Sequence, residues 1–167
     1  PFVPEAVKLR DTIPGVGETV AQISVGEIGV DMSRFPTDHH LASWAGMCPG
    51  NTESAGKRKS GKTSKGSRYL RAALGQAAWA ASHQKGTYLA AQYKRLVKRM
   101  GKKKALVAVG HSILIIVYPV LQKRGPYQDL GGDYFERRHV STQRQRLIRQ
   151  LEALGVKVTV EEVKEAA

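Results

Sequence analysis

The chain has 167 residues, of which 41% are hydrophobic and 25% are charged, a composition that excludes the disordered and fibrous classes of protein. Its formal net charge of +13 at pH 7 favours an acidic partner, either nucleic acid or an anionic membrane surface. The single cysteine, Cys48, excludes an intrachain disulfide framework and a cysteine-rich zinc module.

Residues 1–30 are predicted to form two helices joined by a tight turn. Pro14 ends the first helix, because a proline disfavours helical backbone at the residue before it, and helical spacing of apolar residues over 19–28 indicates the second. Gly15 and Gly17 are expected to provide positive φ angles and close backbone approach in the turn. The segment resembles a helix–hairpin–helix motif, whose backbone N–H groups hold a phosphate at a helix N-terminus. A plain helical hairpin is the alternative.

A loop and a short helix over residues 39–45 are predicted to follow. Thr37 or Asp38 is expected to cap this helix, since both side chains accept hydrogen bonds from N-terminal N–H groups. The paired His39 and His40 suggest a metal site, but no cysteine or carboxylate cluster stands at ligand spacing around them. We therefore interpret them as surface or core histidines.

Residues 46–67 are the least regular part of the sequence, with five glycines, five lysines or arginines and four serines. This composition predicts a loop, with a β-hairpin as one form that it could take. A disordered basic linker is the alternative. The elements predicted closely on both sides favour an ordered loop.

Three helices are predicted after the loop. In the first, over 67–83, the many alanines on the apolar side imply close helix packing. The second is capped by Thr87, carries a basic outer face and ends at Gly101. The third, over 105–121, is almost wholly apolar yet shorter than the roughly 20 residues that cross a bilayer. We therefore expect a buried central helix, in which His111 is a hydrogen-bonded core histidine.

The C-terminal part is predicted to contain one helix and one strand. Ser141 is expected to cap a helix that ends near residue 154, with Gly155 after its last turn. Alternating valines over 156–160 predict a short strand.

These elements predict a mainly α fold, arranged as a single helical domain over residues 1–167 with at most one short β element. Its predicted parts are a helix–hairpin–helix-like part at 1–30, a basic loop at 46–68, a helical core at 69–122, and a C-terminal helix with a short strand at 127–167.

Charge is distributed very unevenly along the chain. Residues 54–128 contain seventeen lysines or arginines and no aspartate or glutamate, whereas acids outnumber bases by four over 1–53 and the two balance over 129–167. A segment like 54–128 repels itself unless a polyanion neutralises it. Nucleic acid is favoured over an anionic membrane, because no long basic amphipathic face is paired with exposed aromatic residues.

Hydroxyl groups are the candidate reactive groups of the basic segment, since it has no carboxylates from which to build a two-metal nuclease site. Five hydroxyl side chains lie in the part of the loop that belongs to this segment, residues 54–67: Ser54, Ser60, Thr63, Ser64 and Ser67. A serine among cations that grip a phosphodiester can attack phosphorus, because the cations stabilise charge on the equatorial oxygens. The alternative is that these hydroxyls only bind phosphates, and composition and spacing alone favour it.

Six short motifs occur in order along most of the chain. They are IPGVG at 13–17, FP at 35–36, LASWAGMCPGN at 41–51, ESAGKR at 53–58, KGSRYLR at 65–71 and GTYL at 86–89. Together they closely resemble the C-terminal transposase domain of the insertion-sequence-110 (insertion-sequence-1111/116/902) family, to which the pilin-gene invertases are related. The resemblance covers the chain from about residue 9 to residue 160.

The resemblance implies a DNA recombinase guided by a structured bridge RNA. An N-terminal RuvC-like domain, absent from this chain, would bind Mg²⁺ through an acidic quartet, and no cofactor is expected in the chain itself. This chain would supply a serine nucleophile that forms a transient 5′-phosphoserine link with DNA. Ser54 matches the family serine, and Ser60 is the second candidate. Many relatives have Ser-Gly-Gly where this chain has Ser54, Ala55 and Gly56.

Two groups of residues are expected to bind nucleic-acid phosphates. Gly15 and Gly17 would hold a distant phosphate. The scissile phosphate and its flanking backbone would be held by Lys57, Arg58, Lys59, Lys62, Lys65, Arg68 and Arg71.

The partners implied are DNA, the bridge RNA, the RuvC-like domain of the same protein and further copies in a synaptic complex, with no membrane. The resemblance implies a bacterial or archaeal protein that acts in the cytoplasm on the nucleoid. The N-terminal residues do not have the features of a signal peptide. Because the sequence also lacks an initiator methionine, we expect a fragment of a longer protein. Alone, it is expected to bind nucleic acid without completing recombination.

Two other hypotheses are also compatible with the sequence. The chain could be a helical nucleic-acid-binding module with no chemistry of its own. It could also be an assembly domain, because the alanine-rich helix and the C-terminal helix offer surfaces for self-association.

Overall fold

The computed structural model describes residues 2–50 and 52–160, and for residues 2, 52–54 and 58–60 it describes the backbone only. The described part contains α1 (Phe2–Asp11), α2 (Glu18–Ile28), α3 (Asp38–Trp44), α4 (Arg68–His83), α5 (Tyr88–Met100), α6 (Lys102–Gln122) and α7 (Tyr134–Ala153). It also contains a 3₁₀ turn (Met32–Arg34) and an antiparallel pair of strands, β1 (Thr52–Ser54) and β2 (Lys57–Ser60). The predicted mainly α fold is confirmed.

The chain divides into two compact units, Pro1–Gly132 and Asp133–Ala167. The first contains α1 to α6 and the two strands, and the second contains α7. The expectation of a single domain stays a prediction, because a compact unit need not be a separate domain.

α6 is the central helix of the first unit. It packs against α1, α3, α4 and α5, and Val109, Ile113 and Leu114 are fully buried. Among the described helices it alone is long and apolar enough to cross a membrane, and its burial among four helices accounts for that composition. The prediction of a buried central helix is confirmed, although the helix starts at Lys102, three residues earlier than predicted.

α4 joins the core through small residues. Its buried residues are those that the sequence predicted: Leu70, Ala73, Leu74, Ala77, Ala78 and Ala81. These small side chains let the turn between α1 and α2 come close, since a Cβ on Gly15 would overlap the Ala77 carbonyl and lie 2.5 Å from the Ala81 nitrogen. Gly15 therefore seats the turn directly on α4.

α1 and α2 form the predicted helical hairpin, and a buried arginine ties them together. The Arg10 guanidinium donates from Nη1 to Ser24 Oγ (2.7 Å) and from Nη2 to the Gly29 carbonyl (3.0 Å). Burial lowers the pKa of Arg10 to about 10, so the group still carries its charge at neutral pH. Gly29 ends α2 with a φ of 80°, as its position after the last apolar residue predicts.

Two predictions for the C-terminal part are wrong. α7 begins at Tyr134, so Ser141 lies inside the helix rather than at its N-cap. An ion pair between Arg137 and Asp133 (2.8 Å) supports the earlier start. Residues 156–160 form no strand, because no other strand of the described chain pairs with them and a lone strand leaves its backbone groups unpaired.

Candidate nucleic-acid interface

The basic loop folds into a β-hairpin, here termed the basic arm (residues 46–67). β1 and β2 pair antiparallel, with Ser54 opposite Lys57. Nearer the base, the Gly50 N–H donates to the Lys62 carbonyl (3.0 Å). Of the forms open to this composition, the described residues therefore adopt the hairpin.

The tip of the basic arm is a two-residue turn formed by Ala55 and Gly56. Their φ angles are 52° and 73°, and positive φ at both central positions is the mark of a type I′ turn. Glycine adopts this conformation freely, but the Cβ of alanine makes it costly. The departure of Ala55 from the Ser-Gly-Gly pattern thus falls where the backbone favours glycine. The candidate nucleophile Ser54 directly precedes this turn.

Two glycines close the base of the basic arm. A Cβ on Gly46 would lie 2.6 Å from the Gly66 nitrogen, and a Cβ on Gly66 would overlap the Ala45 carbonyl. The two ends of the arm therefore touch backbone to backbone. This contact fixes the point at which the arm leaves the helical core.

Arg71, on α4, forms hydrogen bonds to the part of the arm that follows β2. Its Nη2 donates to Thr63 Oγ1 (3.0 Å) and its Nη1 donates to the Ser64 carbonyl (3.4 Å). Beside it, the Ser67 hydroxyl accepts from the Leu70 N–H (3.3 Å) and caps α4. Arg71 was predicted to hold phosphate, and in this structure it holds the arm.

The other predicted cations lie along the arm and at the start of α4. Four are exposed to solvent: Lys57, Lys62, Lys65 and Arg68. The side chains of four further candidate residues lie outside the described part of the structure: Ser54, Arg58, Lys59 and Ser60. Their backbones show that both candidate serines belong to the hairpin, Ser54 beside the tip and Ser60 at the end of β2 opposite Thr52.

The glycines of the N-terminal turn do not join this cluster. Gly15 meets α4 at Ala77, about 14 Å along the helix axis from Arg68. Its φ of 84° confirms the predicted need for glycine. The same prediction is wrong for Gly17, which has a φ of −77° and open space where a Cβ would lie. Gly17 is exposed and immediately precedes α2.

A second basic cluster lies outside the set of residues predicted to bind phosphate. Seven exposed cations occupy residues 94–104: Lys94, Arg95, Lys98, Arg99, Lys102, Lys103 and Lys104. Met47, at the base of the arm, lies against α6 at Gly110, and Lys104 is about 9 Å along the helix axis from that contact. The absence of acids through residue 128 was the signal that could have assigned this cluster.

Two aromatic rings on α4 are exposed where the sequence pattern did not predict it. Trp79 was placed near the apolar side of the helix, yet 60% of its surface is exposed, and Tyr69 is 64% exposed. Helical periodicity separates these positions from the buried alanines, but an aromatic residue beside an apolar stripe is normally interpreted as part of the core.

The histidines form no evident metal site. His39 and His40 are exposed at the start of α3, where the ring Nδ1 of His40 lies 2.8 Å from Thr37 Oγ1. His111 is half-buried, and burial, reinforced by the positive charge of His39, lowers the pKa of His111. Within residues 2–50 and 52–160, no group of three or more His, Cys, Asp or Glu side chains could hold a metal ion.

Comparison with known proteins identifies relatives of this chain. A family model described as Transposase IS116/IS110/IS902 matches residues 8–94. The chain is 32% identical to the pilin gene-inverting protein of Moraxella bovis over 134 residues, covering 76% of this chain and 40% of the relative. It is 33% identical to the pilin gene-inverting protein of Moraxella lacunata over 126 residues, covering 71% and 38%. The chain thus spans about two fifths of the length of these curated relatives.

The family match includes the end of α1, the turn after it, α2, α3, the whole basic arm and α4. It therefore covers more than half of the chain and contains the motifs on which the resemblance was based. The chain belongs to the IS116/IS110/IS902 family of transposases.

Proposed function

We propose that this chain is the serine-nucleophile half of a DNA transposase or site-specific recombinase that is guided by a bridge RNA. The observation that carries the proposal is the basic arm, a hairpin anchored in the helical core with Ser54 beside its tip. Membership of the transposase family supports DNA as the substrate. The two Moraxella relatives are named for inverting pilin genes, which is also a DNA rearrangement.

The proposed step begins with a DNA phosphodiester held beside Ser54. The Ser54 Oγ attacks phosphorus, so that the Oγ–P bond forms and the bond from phosphorus to the 3′ oxygen breaks. The serine proton passes to solvent, and the departing 3′ oxygen takes up a proton to become a hydroxyl. The product is a 5′-phosphoserine link. Attack by the 3′ hydroxyl of another strand then re-forms a phosphodiester and returns the proton to Ser54.

The cations of the arm would stabilise the negative charge that develops on the equatorial oxygens. Lys57 is exposed and pairs with Ser54 across the turn, so it is the nearest described cation along the ladder. The other predicted cations of the arm and of the first turn of α4 would hold the flanking phosphates: Arg58, Lys59, Lys62, Lys65 and Arg68. Arg71 would act by positioning the arm, through its bonds to Thr63 and Ser64.

Other parts of the assembly are proposed from the family. A RuvC-like domain in the remainder of the protein would bind Mg²⁺, the bridge RNA would pair with donor and target DNA, and several copies would meet in the synapse. The protein would act in the cytoplasm of a bacterium or archaeon, on the nucleoid.

The N-terminal turn would contact a distant phosphate. Gly17 is exposed just before α2, where backbone N–H groups favour an anion. Gly15 would contribute by seating the turn on α4. The neighbouring Glu18 is also exposed, and its charge would weaken anion binding there.

Covalent trapping tests the role of Ser54. A full-length recombinase that contains this chain is mixed with its RNA and a labelled DNA site, and the reaction is stopped in denaturant and separated on a gel. We expect a shifted protein–DNA band that disappears in Ser54→Ala while DNA binding is retained. Ser64→Ala is the matched control, because Ser64 is an exposed serine of the same arm whose carbonyl still accepts from Arg71.

The same gel separates the proposal from its alternatives. A band that survives Ser54→Ala but disappears in Ser60→Ala would move the nucleophile to Ser60. If recombination proceeds and no band forms with the unmodified protein, the chain is a nucleic-acid-binding module and the chemistry lies in the other domain. Robust strand exchange by the 167-residue chain alone would contradict the proposal that recombination also requires the RuvC-like domain.

A further inference from the structure

The solvent-facing side of α4 carries two large aromatic rings. Tyr69 is 64% exposed and Trp79 is 60% exposed. At 100° per residue both lie within an arc of about 120°, opposite the arc that carries the buried alanines. Ala72 and Gln76 lie in the same arc and are also exposed. Together these residues form an exposed surface with one aromatic ring near each end, defined here by Tyr69, Ala72, Gln76 and Trp79 and termed the α4 face.

The Tyr69 ring of the α4 face lies beside an arginine, and the Trp79 ring lies beside a histidine. The Arg68 guanidinium carbon is 5.4 Å from the centroid of the Tyr69 ring. The rings of Trp79 and His83 have centroids 4.5 Å apart. The rings are ten residues apart, about 15 Å along the helix axis, which corresponds to about four stacked nucleotides.

Charge indicates which kind of partner fits the α4 face. Arg68 lies in the sequence between the basic arm and the first residue of the face, and Lys85 follows the end of α4. No acid occurs in the sequence from Ser54 to residue 128, so the face continues a surface that attracts a polyanion. A second copy of the same face would bring like charges together.

Exposed aromatic rings between cations fit unpaired bases. The rings can stack on the π-face of any base, while the cations hold the phosphates beside it. Bases within a duplex are already stacked on each other and cannot offer these faces. Exchange of DNA strands requires strands to separate, so a recombinase must handle unpaired DNA.

We propose that the α4 face binds an unpaired DNA strand that leaves the basic arm, with bases stacked on Tyr69 and Trp79. The inference rests on the proposed function for the presence of DNA. It does not depend on which serine is the nucleophile.

Tryptophan fluorescence tests the stacking directly. The chain has two tryptophans, so Trp44→Phe leaves Trp79 as the single reporter. This variant is titrated with a single-stranded 12-nucleotide oligothymidine and with a 12-base-pair duplex, and fluorescein-labelled oligonucleotide anisotropy measures binding in parallel. We expect the single strand to quench the Trp79 emission and the duplex to change it much less.

Affinity measurements on the 167-residue chain provide a second test. Tyr69→Ala and Trp79→Ala are each expected to weaken binding of the single strand by about 5-fold to 150-fold, and to leave duplex binding within about 2-fold of the unmodified chain. Gln76→Ala is the matched control, because it truncates an exposed side chain of the same face without removing a ring. Its affinity should be unchanged.

The outcomes distinguish this inference from the proposed function. Binding shown by anisotropy without quenching of Trp79, together with unchanged affinity of both ring variants, would overturn the inference and leave the proposed function intact. Quenching by an RNA strand but not by DNA would assign the face to RNA, and loss of self-association in Trp79→Ala by sedimentation would assign it to a second copy. Either result overturns the DNA assignment. Absence of any nucleic-acid binding would contradict the proposed function itself.

Discussion

Ala55 holds a left-handed backbone conformation at the tip of the basic arm, with a φ of 52°. Ala55→Gly removes the strain that the Cβ causes in this conformation, and it also raises the conformational entropy of the unfolded chain. Because the relief of strain is the larger effect, we expect a net stabilisation of the arm of about 0.5–1 kcal/mol. Amide exchange at Gly50, which donates to the Lys62 carbonyl, should slow by about 2-fold to 5-fold if the arm opens as one unit.

Ala55→Val provides the opposite control. A β-branched side chain is still less compatible with positive φ, so the same amide should exchange faster than in the unmodified chain. Equal exchange rates in all three proteins would show that the turn conformation does not limit opening of the arm.

We expect His111 to make the stability of the folded chain depend on pH. Its pKa is lowered in the folded protein, chiefly by burial and further by His39, with Asp38 opposing. The unfolded chain, with an ordinary pKa of about 6.5, therefore takes up a proton that the folded chain resists. Stability should fall as the pH drops through about 6.5.

Urea unfolding at pH 7.5 and pH 5 measures this effect. His111→Gln should lose less stability between the two pH values than the unmodified chain does. His40→Gln is the control, since His40 is exposed and its removal should leave the difference unchanged. The attribution to His111 is wrong if both variants behave alike.

Two arginines within the first turn of α4 have different roles. Arg71 donates to Thr63 and Ser64 of the arm, whereas Arg68 is exposed and lies beside the Tyr69 ring. Arg71→Ala removes two hydrogen bonds, worth about 1–2 kcal/mol together, and should speed amide exchange at Gly50. Arg68→Ala removes the same charge and should leave that exchange unchanged. Both variants should have a lower affinity for DNA, because each lacks one positive charge. Identical exchange rates in the two variants would contradict the anchoring role.

At the scale of whole elements, the sequence was most informative where a helix buries one face. All six predicted core residues of α4 are buried, because its apolar stripe meets other helices of the core. The same reasoning misplaced the start of α7, in which no described side chain is buried. Leu147 and Leu151 are about half exposed, so apolar spacing there does not report a buried face. The strand predicted at 156–160 does not form, because no other strand of the described chain pairs with these residues.

At the scale of the whole molecule, we expect charge to govern the proposed binding of DNA. If six to ten of the seventeen cations between residues 54 and 128 contact phosphates, DNA affinity should fall by about 10³-fold to 10⁵-fold between 50 and 200 mM salt. Anisotropy with a labelled duplex measures the slope. A flat response would contradict both the catalytic and the purely binding hypotheses.

Paired substitutions show which cations contribute to that slope. Lys57→Gln with Lys65→Gln tests the basic arm, and Lys98→Gln with Lys102→Gln tests the second basic cluster. Each pair should reduce the slope of log affinity against log salt by about 2 if its members contact phosphates. An unchanged slope for the second pair would exclude those two lysines from phosphate contact.

The sequence by itself determined the mainly helical fold, the buried central helix, the acid-free basic segment and the family. These follow from periodicity, composition and local motifs, which are properties of residues near each other in the chain. Only the tertiary structure decided that Gly46 meets Gly66, that Arg71 anchors the arm, that Gly15 rests on α4 and that Tyr69 and Trp79 face solvent. Each of these depends on which distant segment packs opposite a residue, and no local pattern specifies that partner.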